Sequence, residues 1–396
     1  MSALDELVAS DEDCLRLADV FLASVHDHPS SHGHRLLQKT IETAQERARA
    51  LGALDRSDDL LRRHLVASWD FLAVLARFRF DRRGTPVRLL VDALAGEGAL
   101  DRLQTFVSSL DQEACWRYLE CRHVYRKGRM ASEDGSASEC VADAARSLLE
   151  LFRSWLRTHA LDLPGTDAEV VVGPLDADRS WYEPDAHRVV LGGAEFMVFD
   201  RQDGPFVNCA VALRSLAHEL CGHAVQNALS RGLPLPLQPD DRSDLRPAGL
   251  PAAEGYAILA ASLALACARD RGSELRLSAT DQDLLSFMDE LTGLHHGVPA
   301  LVKIALLRAE QEKGFDASGW LTSVAGHPGF GELLLQVEPW SLRTLLYDAS
   351  CFFGQAAARA AAARLEANGL DRRAVLSRLG RGAWALPVYA EAMSDG

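Results

Sequence analysis

The chain reads LAHELCGHAVQ from Leu216 to Gln226, and this stretch decides how the rest of the sequence is interpreted. Apolar residues flank two histidines and a glutamate. No proline interrupts the helical pattern from Asn208 to Arg231, and Gly232 follows at a position typical of a helix end. The sequence therefore predicts one long helix that carries a histidine, a carboxylate and a second histidine in its middle.

The spacing of the two histidines is unusual. In the motif H-E-x-x-H the histidines are four residues apart and share one face of an α-helix, whereas His218 and His223 are five apart. Five steps of about 100° place the second side chain about 140° from the first in an undistorted α-helix. A π-bulge or a local break at Cys221-Gly222 would restore a common face, and Gly222 is the residue type best able to adopt the backbone conformation required.

The regions on either side predict a mainly α fold with a small β-sheet. Apolar residues recur at helical spacing from Leu4 to Ala160, with loops expected at His26 to His34 and at Ala131 to Glu139. β-branched and aromatic runs between Glu169 and Phe199 predict a small sheet, and helices are expected from Glu254 to the end. We divide the chain into an N-terminal helical bundle, residues 1–160, that forms one wall of a cleft, and a region of residues 161–396 that carries the site.

Composition narrows the classes of partner and location. The chain of 396 residues has an apolar fraction of 48% and a net charge of -14, which disfavours binding to nucleic acid. Gly255 to Ala268 is apolar but shorter than the roughly 20 residues of a membrane span, so a buried helix is expected and no membrane partner. The acidic start does not resemble an export signal, and scattered cysteines favour reduced thiols, so we expect a cytoplasmic protein. The oligomeric state stays open.

A zinc site needs a third protein ligand, and Glu254 is the candidate. It is expected to open an apolar helix about thirty residues downstream, where a carboxylate needs a cation or a surface position. The alternative is a carboxylate that only stabilises the N-terminus of that helix.

Two further groups contain residue types that can bind a metal. Cys221 could coordinate metal, although an apolar filler is the favoured interpretation, and a cluster of His26, His28, His32 and His34 is interpreted as a solvated loop.

Four ordered motifs give these residues a wider context. HELCGHAVQ at 218 to 226, EGYA at 254 to 257, LTGLH at 291 to 295 and SCFFG at 350 to 354 follow one another in the chain. In this order they resemble the gluzincin metallopeptidases, and most closely the domain of unknown function 885 family. The resemblance covers the C-terminal half. It implies a gluzincin-like metallopeptidase fold with zinc held by His218, His223 and Glu254, and with Glu219 as the base that activates water.

The resemblance also implies a role for His295, which matches the histidine of the family's D-T-G-L-H motif and would donate a hydrogen bond to the oxyanion or the substrate. The sequence departs from the family in three places. It has one residue fewer between the metal-binding histidines, Leu291 replaces an aspartate, and Cys351 replaces a tyrosine. Tyr347 lies four residues before Cys351 on the same helical face, and we nominate it as the substitute for the missing tyrosine.

The sequence thus predicts a zinc-dependent hydrolase that cleaves a peptide or amide bond in a small peptide-like substrate. Two alternatives remain open at this stage. The altered spacing and the missing tyrosine allow a metal-dependent, non-proteolytic enzyme of specialised metabolism on the same fold. A non-catalytic relic is the third class, and an intact Glu219 argues against it.

Overall fold

The computed structural model describes most of the chain, with gaps. The described residues are 31–52, 59–127, 135–160, 163–173, 177, 179–200, 204–233, 237–239, 248–275, 277–337 and 341–394. Within them the protein is mainly helical and contains a small sheet, as the sequence predicts.

Six helices and a terminal π-turn make up the described part of the N-terminal region. They are α1 (Ser31–Gly52), α2 (Asp59–Phe80), α3 (Val87–Ala95), α4 (Ala99–Ser108), α5 (Gln112–Lys127), α6 (Gly135–Trp155) and the π-turn Leu156–Ala160. Two predicted loops are therefore partly wrong. The residues from Ser31 onward belong to α1, and those from Gly135 onward belong to α6, because alanine, glutamate and the apolar residues that follow favour a helix over the serines and glycines. The remaining parts of both predicted loops lie outside the described residues.

Along the chain, a three-stranded sheet follows this region and precedes the long helix. Its order is β1 (Glu169–Val172), β3 (Arg188–Leu191) and β2 (Trp181–Glu183), with β1 parallel and β2 antiparallel to the central β3. The central strand is largely buried, whereas β2 is an edge strand of alternating exposure, which its W-Y-E sequence favours. A single turn α7 (Gly193–Phe196) leads to a separate hairpin of β4 (Met197–Asp200) and β5 (Gly204–Val207).

The predicted long helix exists and has three parts. Asn208 caps its N-terminus by accepting a hydrogen bond from the Val211 backbone, as asparagine commonly does. The chain continues as α8 (Cys209–Leu216), a π-helix (Ala217–Ala224) and α9 (Val225–Leu229) without a break. We call the middle part the π-segment.

Helices form the rest of the described chain. They are α10 (Leu250–Asp270), α11 (Ala279–Glu290), α12 (Thr292–Gln311), α13 (Ala317–Ala325), α14 (Phe330–Val337), α15 (Leu342–Ala367), α16 (Arg372–Leu379) and α17 (Leu386–Ala392). One of them differs from the sequence prediction. Helix α10 begins four residues before Glu254, with Pro251 in its first turn, where proline fits well. In helix α12, which contains His295 and His296, Pro299 lies inside the helix, although proline usually disfavours a helix interior.

Helices α10 and α15 cross at a pair of glycines. A Cβ atom on Gly354 would lie 1.7 Å from the carbonyl oxygen of Pro251, and one on Gly255 would lie 2.2 Å from the Gly354 backbone. Any side chain would push the two helices apart. The glycines therefore set the closest approach of the two helices beside Glu254.

The hydrophobic core contains residues from both sides of residue 160, where the sequence analysis divides the chain. One buried cluster joins Phe152 and Leu156 to the sheet, the π-segment and α10, and a second joins Phe71 and Leu103 to α12 and α15. Apolar burial of this kind is the main stabilising contribution to a fold. The N-terminal helices thus share their apolar core with the region that carries the motifs.

Helix α10 is long and apolar enough to cross a membrane by length and composition, and 78% of its apolar window is buried inside the protein. It packs against the π-segment and α15. The prediction of a buried helix here is confirmed.

Candidate metal centre

The π-segment brings the two histidines of the motif together. The Nε2 atoms of His218 and His223 lie 3.2 Å apart, and the rings meet edge to face at an angle of 84°. A π-helix closes its hydrogen bonds over five residues, so side chains five apart stack on one face. The spacing allowed either a π-bulge or a local break. The structure has neither a break nor a single-turn bulge but a π-helix of eight residues, which extends the first solution.

Gly222 serves a different purpose from the one predicted. The π-segment is continuous and right-handed, and Gly222 has no positive φ. A Cβ atom there would instead lie 2.5 Å from the Cβ of Ala257 on α10. The glycine is required for the close approach of two helices, which places the histidines within reach of Glu254.

Glu254 completes the cluster from α10. Its Oε2 lies 3.5 Å from Nε2 of His218, and its Oε1 lies 3.8 Å from Nε2 of His223. The carboxylate is only 5% exposed, and it sits in the second turn of α10 rather than at its N-terminus. Stabilisation of a helix terminus therefore does not account for its position, whereas proximity to two imidazoles does.

The geometry of these three side chains fits a tetrahedral zinc ion. With bonds of about 2.0 to 2.1 Å, neighbouring nitrogen and oxygen ligands of tetrahedral zinc are about 3.3 Å apart. The observed separations are 3.2, 3.5 and 3.8 Å, and among the described residues these three side chains form a group whose ligand atoms all lie within 4.8 Å of one another. Two imidazoles and a carboxylate are a donor set that zinc accepts in catalytic sites.

The pKa values of the three side chains depend on burial and on one another. Burial lowers the pKa of His223 to about 4, so its ring is neutral near pH 7 and offers a lone pair. Burial alone would raise the pKa of Glu254, but the hydrogen bond to His218 and the neighbouring histidine charges outweigh it and hold the pKa at about 2. For His218, burial lowers the pKa, and the hydrogen bond and charges of the two glutamates raise it above its ordinary value.

Glu219 is buried beside this cluster, as the sequence predicts for the base. Burial raises its pKa to about 8, the charge of His218 opposes this, and the charges of Glu254 and Glu195 add to the increase. The carboxylate accepts a hydrogen bond from the backbone of Tyr182 on the edge strand β2. A carboxyl group that exchanges its proton near neutral pH is suited to general acid and base catalysis.

Glu195 is a second carboxylate that sequence analysis missed. It accepts hydrogen bonds from the hydroxyls of Ser180 and Ser215, the latter at 2.7 Å. Its negative charge contributes to the raised pKa of Glu219. No motif marks it, because its two hydroxyl partners come from separate segments of the chain, before β2 and in α8.

Cys351 and Tyr347 connect Glu254 to the surface. The Cys351 thiol donates to Oε2 of Glu254 at 3.8 Å, and the Tyr347 side chain hydrogen-bonds to Cys351. Tyr347 is 43% exposed, and its pKa is well above the ordinary value because of Cys351 first and then the charges of Glu254 and Glu219. The nominated tyrosine therefore lies beside the cluster of His218, His223 and Glu254 with its hydroxyl protonated.

His296, the neighbour of the predicted His295, affects the cluster. The positive charge of His296 contributes to the low pKa of Glu254, and its ring lies 6.1 Å from that of Tyr347. His295 is partly exposed on α12 and packs against His296, with 5.1 Å between ring centroids. The role assigned to His295 stays a prediction.

A buried ion pair between Lys303 and Asp348 lies next to His296. Lys303 donates to Oδ2 of Asp348, and Nδ1 of His296 lies 3.6 Å from the other carboxylate oxygen. All three residues are at least nine-tenths buried. Lys303 is the one charged residue in the apolar run from Gly297 to Leu307, and a buried lysine requires a partner, so sequence analysis could have found half of this pair.

Among the remaining sequence candidates, Cys221 is described and is not part of the cluster. Cys221 is fully buried, its pKa is raised to about 12 by burial, and it is not among the described ligands within 4.8 Å. Cys221 is part of the apolar core, in agreement with the interpretation favoured from the sequence. His26 and His28 lie outside the described residues, and His32 and His34 are in α1.

Comparisons with known proteins leave the family open. No family model matches the chain, and no curated protein matches it. Among solved structures, one similar chain is described as "the putative lipoprotein from Colwellia psychrerythraea", with a TM-score of 0.47 and 12% identity over 90% of this chain and 69% of that chain. A likeness of this size assigns neither a family nor a function.

Proposed function

We propose that this protein is a zinc-dependent hydrolase with a gluzincin-like catalytic region that cleaves an amide bond in a small peptide-like substrate. The observation that carries the proposal is the convergence of His218, His223 and Glu254 next to the buried carboxyl of Glu219. The four ordered motifs support the same class. The π-segment supports it further, since it turns an unfavourable spacing into a shared face.

Each polar group has a part in the proposed reaction. His218, His223 and Glu254 would hold the metal, with Cys351 fixing the orientation of Glu254 from outside, as second partners of metal ligands commonly do. When bound, zinc supplies Lewis acidity and lowers the pKa of water to about 7. Glu219 would take the proton of the attacking water on its carboxylate and later deliver it to the nitrogen of the leaving amine.

The negative charge that develops on the attacked carbonyl oxygen needs hydrogen-bond donors. Tyr347 is the best placed of the nominated residues, because its hydroxyl is protonated and it is exposed beside the cluster. The ring of His296 lies near that of Tyr347, with 6.1 Å between their centroids. We retain His295 as a second candidate for this role.

The experiment for this proposal is digestion of a pool of short blocked peptides by chelator-treated protein, followed by addition of zinc and mass spectrometry of the products. We expect cleavage to be absent after chelation and restored by about one zinc per chain. Zinc binding without cleavage of any amide would replace the proposal with a metal-dependent enzyme of different chemistry. Failure to bind metal would indicate a non-catalytic relic.

A further inference from the structure

A series of contacts connects the buried lysine of α12 to the candidate metal centre. Lys303 pairs with Asp348, and Oδ1 of Asp348 lies 3.6 Å from Nδ1 of His296. The His296 ring meets the ring of Tyr347 at an angle of 78°, with 6.1 Å between centroids. Tyr347 in turn hydrogen-bonds to the Cys351 thiol beside the metal cluster. The ion pair therefore reaches the cluster through one ring-to-ring contact.

Stability alone does not explain this ion pair. Lys303 and Asp348 are 4% and 9% exposed, and the loss of hydration of two buried charges offsets much of their attraction. Apolar side chains of similar size often give equal or higher stability at such positions. The next residues in the chain, Ile304 and Ala349, are buried and apolar, so an apolar pair would suit this part of the core. What distinguishes the ion pair is its contact with His296.

The His296 ring needs a polar partner. The residue is 8% exposed, and its Nδ1 atom accepts or donates no hydrogen bond within the described part of the chain. Buried polar atoms normally have such a partner, and the carboxylate of Asp348 is the charged group beside this nitrogen. A carboxylate next to one nitrogen fixes the orientation of an imidazole, as in the triads of serine hydrolases. Lys303 holds the other oxygen of the same carboxylate and so fixes Asp348 in turn.

The orientation of Tyr347 depends on this arrangement. Tyr347 is 43% exposed, so packing in the core does not hold its ring. Among the described residues, His296 supplies its aromatic contact, and the observed edge-to-face geometry is a favourable one at this distance. A different orientation of the His296 ring would remove that contact and change the position of the Tyr347 hydroxyl.

We propose that Lys303 and Asp348 are positioning residues that hold the His296 ring against Tyr347 and thereby keep the Tyr347 hydroxyl at the reaction centre. Both are too buried to touch a substrate. The inference rests on the proposed hydrolase function, in which Tyr347 donates a hydrogen bond to the attacked carbonyl oxygen. It assigns a role to two residues that are 45 positions apart and belong to none of the four motifs.

The kinetic test replaces the ion pair with apolar residues of similar shape, Lys303→Met together with Asp348→Leu, in zinc-loaded protein. KM for a cleaved blocked peptide should stay unchanged, and kcat should fall about tenfold to 100-fold, the usual loss when the partner of a histidine at a metal site is removed. In a Tyr347→Phe background the same replacement should change kcat by less than about twofold, because the hydroxyl that it displaces is already absent. Lys303→Met with Asp348→Asn keeps an oxygen beside His296 and should restore part of the rate.

Arg269→Met with Asp289→Leu is the matched control. It makes a similar change in an ion pair of 3.7 Å between α10 and α11, and kcat should be unchanged. The midpoint of chemical denaturation of the Lys303→Met, Asp348→Leu protein should stay equal or rise. If this protein does not fold, the asparagine variant provides the same comparison with a smaller loss. Equal losses of kcat with and without the Tyr347 hydroxyl would overturn the inference, because a general disturbance of the fold acts in both backgrounds.

Nuclear magnetic resonance tests the geometry without any reaction. Protons of the His296 and Tyr347 rings should show a nuclear Overhauser effect in wild type, with assignments from His296→Gln and Tyr347→Phe. The effect should be lost in the Lys303→Met, Asp348→Leu protein and kept in the control. An effect of equal size in all three proteins, or its absence from wild type, would overturn the positioning role even if the hydrolase is active. Its selective loss in a protein that hydrolyses no amide would support the positioning of Tyr347 and refute the hydrolase.

Discussion

Replacement of Glu219 by glutamine is expected to lower kcat by about 10²- to 10⁴-fold, the usual contribution of a general base. Glutamine has the shape of the carboxyl group but cannot accept the proton of the attacking water. Because Glu219 is not one of the three clustered ligands, zinc content should stay unchanged. The measurement is the initial rate of amide hydrolysis at saturating substrate, together with zinc content of the same preparation.

Glu195→Gln provides the matched control for this variant. It makes the same chemical change in a neighbouring carboxylate whose oxygens accept hydrogen bonds from Ser180 and Ser215. We expect a much smaller loss of kcat than for Glu219→Gln. Equal losses in the two variants would remove the special role of Glu219 and would indicate a general effect of negative charge near the site.

The second large effect is expected at the crossing of α10 and α15. In Gly354→Ala the new methyl group would lie 1.7 Å from the carbonyl oxygen of Pro251, so the backbones must separate. Overpacking of this kind lowers the free energy of unfolding by roughly 1 to 3 kcal/mol, or more where backbone must move. Since Glu254 lies beside the crossing, zinc affinity should decrease as well. Chemical denaturation and zinc titration measure the two effects.

Gly293→Ala is the control for the glycine substitution. Gly293 is also helical, but a Cβ atom there would lie 3.6 Å from its nearest neighbour, which is an ordinary contact. Replacement of a helical glycine by alanine with such space should leave stability unchanged or raise it by up to about 1 kcal/mol. A Gly354→Ala protein as stable as Gly293→Ala would show that the helix crossing does not constrain the position of Glu254.

Sequence analysis predicted the outline of the fold and the members of the cluster for identifiable reasons. Periodicity marked the helices, β-branched runs marked the strands, and the need for a common face required a departure from the α-helix between His218 and His223. These are local properties of the chain. Each can be judged from residues within a few turns of one another.

Apart from the two loops that proved partly helical, the predictions that were wrong concern contacts between distant segments. Gly222 was assigned to a special backbone conformation, but its role is set by Ala257 on another helix. The start of α10 was placed at Glu254 because a carboxylate ahead of apolar residues resembles a helix terminus, whereas two imidazoles explain its burial. His296, Asp348 and Cys351 gained their positions from the packing of α12 against α15 and of α15 against α10. Spacing within one segment carries no information about such packing.

The measurement that tests the central claim most directly is zinc content per chain by elemental mass spectrometry. Wild type is compared with His218→Ala, His223→Ala and Glu254→Ala, and with Cys221→Ala and His295→Ala as controls. We expect about one zinc in wild type and both controls, and loss or a sharp decrease in each ligand variant. A wild-type protein that stays free of metal after zinc loading, or ligand variants that retain a full equivalent, would contradict a metal centre at His218, His223 and Glu254.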